Sequence, residues 1–356
     1  MKKVFLESHN IKNKFSGFGQ FNYHFIKALA NHPSKGIKFI LHAKNLKELK
    51  SEFGSKFLYK KYRSVSRHKP FRIKSKYDLW HYLNQNIKIE PFFDLPYLLT
   101  VHDIHFMTEG SSLLQMKLKA KFKEKLNRSN AIVYISEFAK KDTHDNFDVP
   151  DVPEYVIHNG NTITNIYIPE NYKPATVSNQ PYLFSIGDFS ERKNFMSLVE
   201  MMQFLPEYNL LLAGNNNSVY TDKLTALVMS YGMEDQVFQL GKVGDVEKQY
   251  YLQNCEAFVF PSLREGFGIP PIEAMRFGKP VFLSNNTSLP EIGGEHSFYW
   301  DHYDPEYMAN TLKLGMARFH NAQEFYENLY IDRAKSFSWE NTAKQYVEVY
   351  QKLLGL

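Results

Sequence analysis

Residues 261–275, Pro-Ser-Leu-Arg-Glu-Gly-Phe-Gly-Ile-Pro-Pro-Ile-Glu-Ala-Met, decide how this chain is read. They directly follow Ala257–Phe260, a short apolar run that reads as a buried strand, so the stretch lies at a strand's carboxyl end. Open α/β sheets bind their ligands there. Pro270 and Pro271 preset the backbone for a first helical turn, 272–277 continue it, and Gly278 can end it. The result is a glycine loop feeding a helix, bracketed by Glu265 and Glu273. Glycines let a ligand approach the backbone, and free N–H groups there attract phosphate. The flanking carboxylates suit neutral hydroxyl donors, such as those of a ribose or a hexose. Either glutamate alone reads as a solvated loop residue, but the whole arrangement does not.

Outward from this stretch, strands and helices alternate on both sides. In the second half, strands read at 182–186, 210–213, 237–240, 257–260 and 280–284, with helices at 194–205 and 221–231. In the first half, strands read at 2–6, 36–42, 97–102, 131–135 and 155–157, with helices at 20–30 and 112–127. Such alternation indicates α/β architecture with parallel, doubly wound sheets. At 356 residues the chain is too long for one core and suggests two domains. Residues 166–181 hold three prolines and little periodicity, which is linker composition. The expected organisation is an N-terminal domain over 1–165, a linker over 166–181 and a second domain over 182–338. A last amphipathic helix over 339–356 is expected to cross back to the first domain.

Composition narrows the function classes. A hydrophobic fraction of 43% and a charged fraction of 23% suit a folded soluble protein rather than a disordered one. One cysteine, Cys255, excludes an intrachain disulfide, and its apolar surroundings favour a small buried hydrophobe over a catalytic thiol. Lys2 and Lys3 are followed by only three apolar residues before Glu7, and no apolar run approaches the ~18 residues that span a bilayer, so a cytoplasmic protein is expected. Charge is split between the halves. Residues 1–165 carry 28 Lys and Arg against 15 Asp and Glu, a net +13, and residues 166–356 carry 15 against 23, a net −8. A basic half suits an anionic surface or acceptor. Residues 56–76 alone hold nine Lys and Arg without an acid and read as a basic surface excursion.

The 261–275 stretch resembles the Glu-x7-Glu signature of the family-four retaining glycosyltransferases of the GT-B fold, also called glycosyltransferase group 1. Other landmarks fit in order along nearly the whole chain. They are Gly17-Phe18-Gly19, Val101-His102-Asp103, Ser136-Glu137-Phe138, Asn159-Gly160, Ser185-Ile186-Gly187 with Arg192-Lys193-Asn194, Leu240-Gly241-Lys242-Val243, Ser288-Leu289-Pro290-Glu291 and Phe337-Ser338-Trp339-Glu340. The resemblance implies two Rossmann-like domains facing across a cleft, and transfer of a hexose from a nucleotide-diphosphate sugar. It implies that Glu273 binds the ribose and that Glu265, with the backbone of Gly266, Phe267, Gly268 and Ile269, holds the donor sugar. Arg192 and Lys193 would neutralise the diphosphate beside Gly187, Val243 would lie in the base pocket, and Gly17 and Gly19 would approach the donor. His102 would sit near the anomeric carbon. It is not assigned as a base, because retaining enzymes of this fold are usually described by a front-face path without a protein nucleophile.

The motif combination most resembles mannosyltransferase-like members, which favours GDP-mannose, with UDP-hexoses open. Many relatives carry Arg directly after the glycine where this chain has Asp188, and that side chain is expected to point away from the phosphates. No Asp-x-Asp occurs, so metal-independent catalysis without a cofactor is expected, the cations and amides replacing the metal's charge. The acceptor is expected to be a glycan or lipid-linked, as in surface polysaccharide assembly. A catalytically silent sugar-nucleotide-binding scaffold is the alternative. A nucleic-acid partner is not expected, since the basic run carries no helix-turn-helix, zinc or ribonucleoprotein signature, and neither glycine loop shows the Gly-x-Gly-x-x-Gly of a Rossmann oxidoreductase. Lys117, Lys121 and Lys125 at i, i+4, i+8, beside Leu114, Leu118 and Phe122, fit a basic amphipathic helix on anionic lipid at the inner face of the cytoplasmic membrane. The same pattern equally fits an outer helix packed on the sheet.

Overall fold

The computed structural model describes residues 1–13, 16–107, 111–176 and 180–356. The chain divides into two compact units, Met1–Thr162 with Ser338–Leu356, and Ile163–Phe337. Part of the linker read at 166–181, residues 177–179, lies outside the described residues.

The first unit is built on a seven-stranded parallel sheet. Its strands are β1 (Lys2–Glu7), β2 (Ile37–Ala43), β3 (Leu58–Lys61), β4 (Leu79–Tyr82), β5 (Tyr97–Val101), β6 (Ala131–Tyr134) and β7 (Glu154–Val156), in the spatial order 3-2-1-4-5-6-7. Helices α1 (Gly17–Asn31), α2 (Leu46–Phe53), α3 (Ser112–Arg128) and α4 (Glu137–Asn146) supply the crossovers. α1 starts three residues earlier than its apolar period suggests, because Ser16 caps it and accepts from the Gly19 N–H at 3.2 Å. Its buried face is Phe21, Phe25, Ile26 and Leu29.

The second unit carries β8 (Tyr182–Ile186), β9 (Asn209–Ala213), β10 (Val237–Gly241), β11 (Ala257–Phe260), β12 (Val281–Ser284) and β13 (Phe298–Trp300), all parallel. Their spatial order, β10-β9-β8-β11-β12-β13, is again the 3-2-1-4-5-6 of a doubly wound nucleotide-binding sheet. Helices α5 (Phe195–Met202), α6 (Val219–Ser230), α7 (Asp245–Asn254), α8 (Ile269–Met275), α9 (Leu289–Gly293), α10 (Pro305–Asn321) and α11 (Gln323–Ser336) complete it. Cys255 is buried beside β11 and burial pushes its thiol up to about 12, which suits a packing residue.

The last helix, α12 (Trp339–Leu354), belongs to the first unit. Ser338 caps it and Gly355 ends it in the left-handed region. Tyr346 and Tyr350 are fully buried, pack tilted against Phe25 and Phe39, and hydrogen-bond into the sheet. His81 Nδ1 lies 2.7 Å from the Tyr350 hydroxyl, and Thr100 Oγ1 lies 3.0 Å from that of Tyr346. Two buried tyrosines therefore bring their polar ends to partners on β4 and β5 while their rings fill the core.

Candidate functional site

Chain direction across the second sheet reverses between β8 and β11, and the loops after these two strands diverge there. The expected donor residues sit on those loops. After β8 come Gly187, Asp188 and a short 3-10 turn, Glu191–Lys193, closed by Asn194 at φ 54°. After β11 come Ser262 and Glu265. The structure brings Arg192, Lys193 and Glu265 together across the reversal. Lys193 Nζ donates to Glu265 Oε1, and Arg192 Nη1 stands 3.1 Å from Glu265 Oε2. The buried Ser262 hydroxyl donates to Glu265 Oε1 at 2.6 Å.

Burial alone would raise the Glu265 pKa, but Lys193, Arg192 and Ser262 outweigh it and hold the carboxyl below its usual range. Burial also lowers the Lys193 ammonium. The two shifts pull the pair in opposite directions. Two cations on one carboxylate make the ionised Glu265 the governing state. The three side chains together carry one net positive charge. Asp188 is exposed, yet its charge still acts on Lys193, so it lies within electrostatic reach of the cation pair.

Backbone geometry shapes the floor. Gly268 has φ 105°, which disfavours any side chain, and a Cβ there would stand 3.0 Å from Leu289 Cδ2. Gly214, after β9, has φ 141°, and a Cβ on it would overlap the Gly187 carbonyl oxygen at 1.8 Å. Gly214 thus lets two strand ends meet and was not singled out in the sequence. Phe267 is buried, edge-on to Phe337 at 5.8 Å, so its ring packs and its backbone shapes the loop. Gly266 and Ile269 are half-buried beside it. Ser288 Oγ donates toward the carbonyls of Glu265 and Phe267 at 2.9 and 2.8 Å and holds the loop in place.

Glu273 lies on α8, buried, with Oε1 2.6 Å from Lys248 Nζ of α7. Lys248 was missed in the sequence, because nothing local ties it to a residue 25 positions away. Val243, half-buried, precedes α7 on the loop after β10. Among the described residues no cluster of three or more His, Cys, Asp or Glu is arranged to hold a metal.

In the first unit, His102 follows β5 and is buried. Its Nε2 donates to the Leu83 carbonyl at 2.8 Å, which leaves Nδ1 as an acceptor in the neutral ring. Burial lowers its pKa to about 4, so it is neutral near pH 7. Phe18 and Phe21 meet it edge-on, 5.0 and 4.6 Å away. Gly17 is exposed and Gly19 buried in the first turn of α1, and residues 14–15 just before lie outside the described residues.

Support for His102 comes from an unexpected place. Lys125 of α3 is buried and donates to the carbonyls of Gln85, at 2.6 Å, and Ile87. Gln85 in turn accepts from the His102 N–H at 3.1 Å and donates to the Asp103 carbonyl at 2.6 Å. The lysine read as the third cation of a lipid-facing stripe thus orders the loop beside His102. Phe122 is likewise buried, against Phe106 and Phe147.

Two parallel sheets of nucleotide-binding order, one with paired cations and a carboxylate at its reversal, define a two-unit protein of the GT-B architecture. A solved structure titled Anabaena Alr3699/HepE in complex with UDP-glucose superposes with a TM-score of 0.72 at 17% identity, over 99% of this chain and all of that one. Residues 169–330 match the family described as Glycosyl transferases group 1. It is 27% identical to O-antigen chain mannosyltransferase B of Escherichia coli, over 99% of this chain and 100% of that protein. A second similar protein is the serotype-specific mannosyltransferase WbdA of Escherichia coli, 31% identical over 49% of this chain and 22% of that longer protein. No helix among the described residues is long and apolar enough to cross a membrane.

Proposed function

We propose that this glycosyltransferase moves mannose from GDP-mannose to a glycan or lipid-linked acceptor, with retention of configuration and without a metal. The observation that carries the reading is the Arg192–Lys193–Glu265 cluster at the reversal of the second sheet. Bond cleavage leaves an added negative charge on the departing diphosphate, and preorganised cations favour that charge over the ground state. The diphosphate would draw Arg192 and Lys193 toward itself and free Glu265 to accept from the sugar's hydroxyls. Glu273, held by Lys248, would take the ribose hydroxyls, with Val243 beside the base.

Electrons and protons balance without a protein nucleophile. The acceptor oxygen forms the new bond to the anomeric carbon as the carbon–oxygen bond to the phosphate breaks. The acceptor's proton passes to the departing phosphate oxygen. His102, neutral with Nδ1 as an acceptor, suits a hydrogen bond from a sugar hydroxyl, the role that the resemblance implies. The mannosyl preference draws support from the two Escherichia coli mannosyltransferases. A UDP-hexose is the competing donor, and the UDP-glucose bound by the Anabaena protein keeps it in view.

Calorimetric titration with GDP, UDP, GDP-mannose and UDP-glucose tests the donor. GDP and GDP-mannose are expected to bind most tightly, and preference for the uridine nucleotides overturns the mannosyl reading. Binding of a donor without release of nucleoside diphosphate in any acceptor mixture would point to a scaffold.

A peripheral position at the membrane's cytoplasmic face is part of the proposal. Leu113, Leu114 and Met116 are exposed at the start of α3, beside exposed Lys117 and Lys121. Apolar side chains next to cations suit an anionic interface, each cation contributing about 1 kcal/mol near the surface. Leu113→Glu/Met116→Glu should abolish low-salt cosedimentation with phosphatidylglycerol vesicles; unchanged cosedimentation removes α3 from that role.

A further inference from the structure

Residues 56–76 hold nine cations and no acid, and the donor chemistry above uses none of them. The structure folds part of this run around a pocket of about 620 Å3 in the first unit. That volume falls within the roughly 300–1,000 Å3 of small-molecule sites. Lys60, Lys61, Arg63, Arg72 and Lys74 line it with His42, and no lining residue is acidic. β2 and β3 run parallel in register, His42 opposite Lys60 and Ala43 opposite Lys61, so the pocket opens at their carboxyl ends.

Most of this charge is uncompensated. Among the described residues no carboxylate lies within 4.0 Å of the charged ends of Lys60, Lys61, Arg63 or Lys74. Among the described residues Lys60 Nζ donates to the Ser75 hydroxyl alone, 3.2 Å away. Arg72 pairs with Glu90, yet its Nε is buried with no hydrogen-bond partner. A buried unpartnered donor is costly and marks a place where an acceptor fits. Glu7, the acid behind the pocket, is buried and committed to His42 Nδ1 at 2.8 Å and His9 Nδ1 at 2.7 Å. That leaves His42 Nε2 outside the bond to Glu7.

We propose that this pocket binds a phosphate or diphosphate group. Two guanidinium forks and three ammonium groups around one pocket match the compact, multi-acceptor charge of phosphate. The rim says what the phosphate is attached to. Phe71 lines the pocket and is exposed, and the Phe92 N–H donates to the Ile73 carbonyl, setting exposed Phe92 and Phe93 beside it. Lys74 and Lys76 stand over the Phe92 and Phe93 rings at 5.2 and 5.7 Å. Cations within and apolar rings outside suit a phosphate ester whose organic part leaves past the rings. As the anionic end of the acceptor it rests on the transferase reading; as an anion site it stands without it.

The test uses the full chain saturated with GDP, so that the donor site is filled, and inorganic pyrophosphate as the soluble probe. Phosphatidylcholine vesicles with and without phosphatidic acid present the same chemistry as a headgroup. Lys61, Arg63 and Lys74 are exposed, so Lys61→Ala/Arg63→Ala/Lys74→Ala should leave the fold intact. A control removes three other exposed cations of the same unit, Lys35→Ala/Lys141→Ala/Lys344→Ala. The expected result is binding of pyrophosphate, of phosphatidic acid vesicles, or of both, weakened roughly tenfold or more by the pocket triple but not by the control. Pyrophosphate binding alone identifies a soluble phosphate, and vesicle binding alone a headgroup. Absence of both, or equal losses in both triples, overturns the proposal. The GDP titration that prepares each sample reads the donor site separately, so the two readings fail independently.

Discussion

The two sheets share one strand order but treat charge at their carboxyl edges in opposite ways. In the second unit, the cations at the reversal are packed against a carboxylate, Arg192 and Lys193 on Glu265, and one turn into the neighbouring helix Lys248 holds Glu273. In the first unit, the pocket at the ends of β2 and β3 gathers five cations with only Arg72 compensated. Topology sets where strand ends splay apart, and side chains decide what that opening accepts. The compensated cluster is preorganised, with one net positive charge left over for a diphosphate. The uncompensated one waits for an anion.

The largest expected effect breaks the compensated cluster. Lys193→Ala should leave Glu265 with one cation and cut turnover by roughly 10²–10³-fold. Glu265→Gln should lower kcat by a similar factor with little change in nucleotide affinity. Steady-state kinetics at saturating donor separates the two. Wild-type kcat in either variant would remove the cluster from the chemistry.

A smaller effect is expected at Glu273. Glu273→Gln should weaken GDP binding by roughly tenfold, the loss of one charge-assisted hydrogen bond, and leave kcat at saturation nearly unchanged. Calorimetry checks the affinity. A kcat loss with unchanged affinity would exchange the roles of the two glutamates.

A separate effect, on stability rather than turnover, sharpens the account of His102. Its folded pKa is about 4, against an ordinary value of 6.5. Between these values the unfolded chain binds a proton that the folded chain refuses. Stability is therefore full above about pH 6.5 and falls as pH drops toward 4, by roughly 2–4 kcal/mol for this group. His102→Asn should flatten that part of the stability–pH curve in urea unfolding. Parallel curves for the two proteins would show that the ring is protonated in the fold.

How much was legible follows the same contrast. The Glu265–Glu273 loop could be read because its residues are neighbours in sequence, and both helix-forming prolines and the glycines sit inside it. The alternation of buried strands was visible for the same reason. β4 was missed, since four buried residues, Leu-Trp-His-Tyr, carry no period-two pattern and no glycine or proline marks their ends. β3 was hidden in the basic run, because an edge strand can be polar on both faces. Lys248 and Gln85 matter through partners that only folding brings near, and Lys125 looked like a surface cation because helical spacing alone does not say which lysine turns inward.

The central claim is that the second unit's cation–carboxylate cluster performs metal-free transfer with retention. The most direct measurement is proton NMR of the glycosidic product formed from GDP-mannose in the presence of excess EDTA. The account predicts undiminished turnover and an α-configured new linkage, matching the donor. A β-configured product, or turnover lost with EDTA and restored by manganese or magnesium, would contradict it.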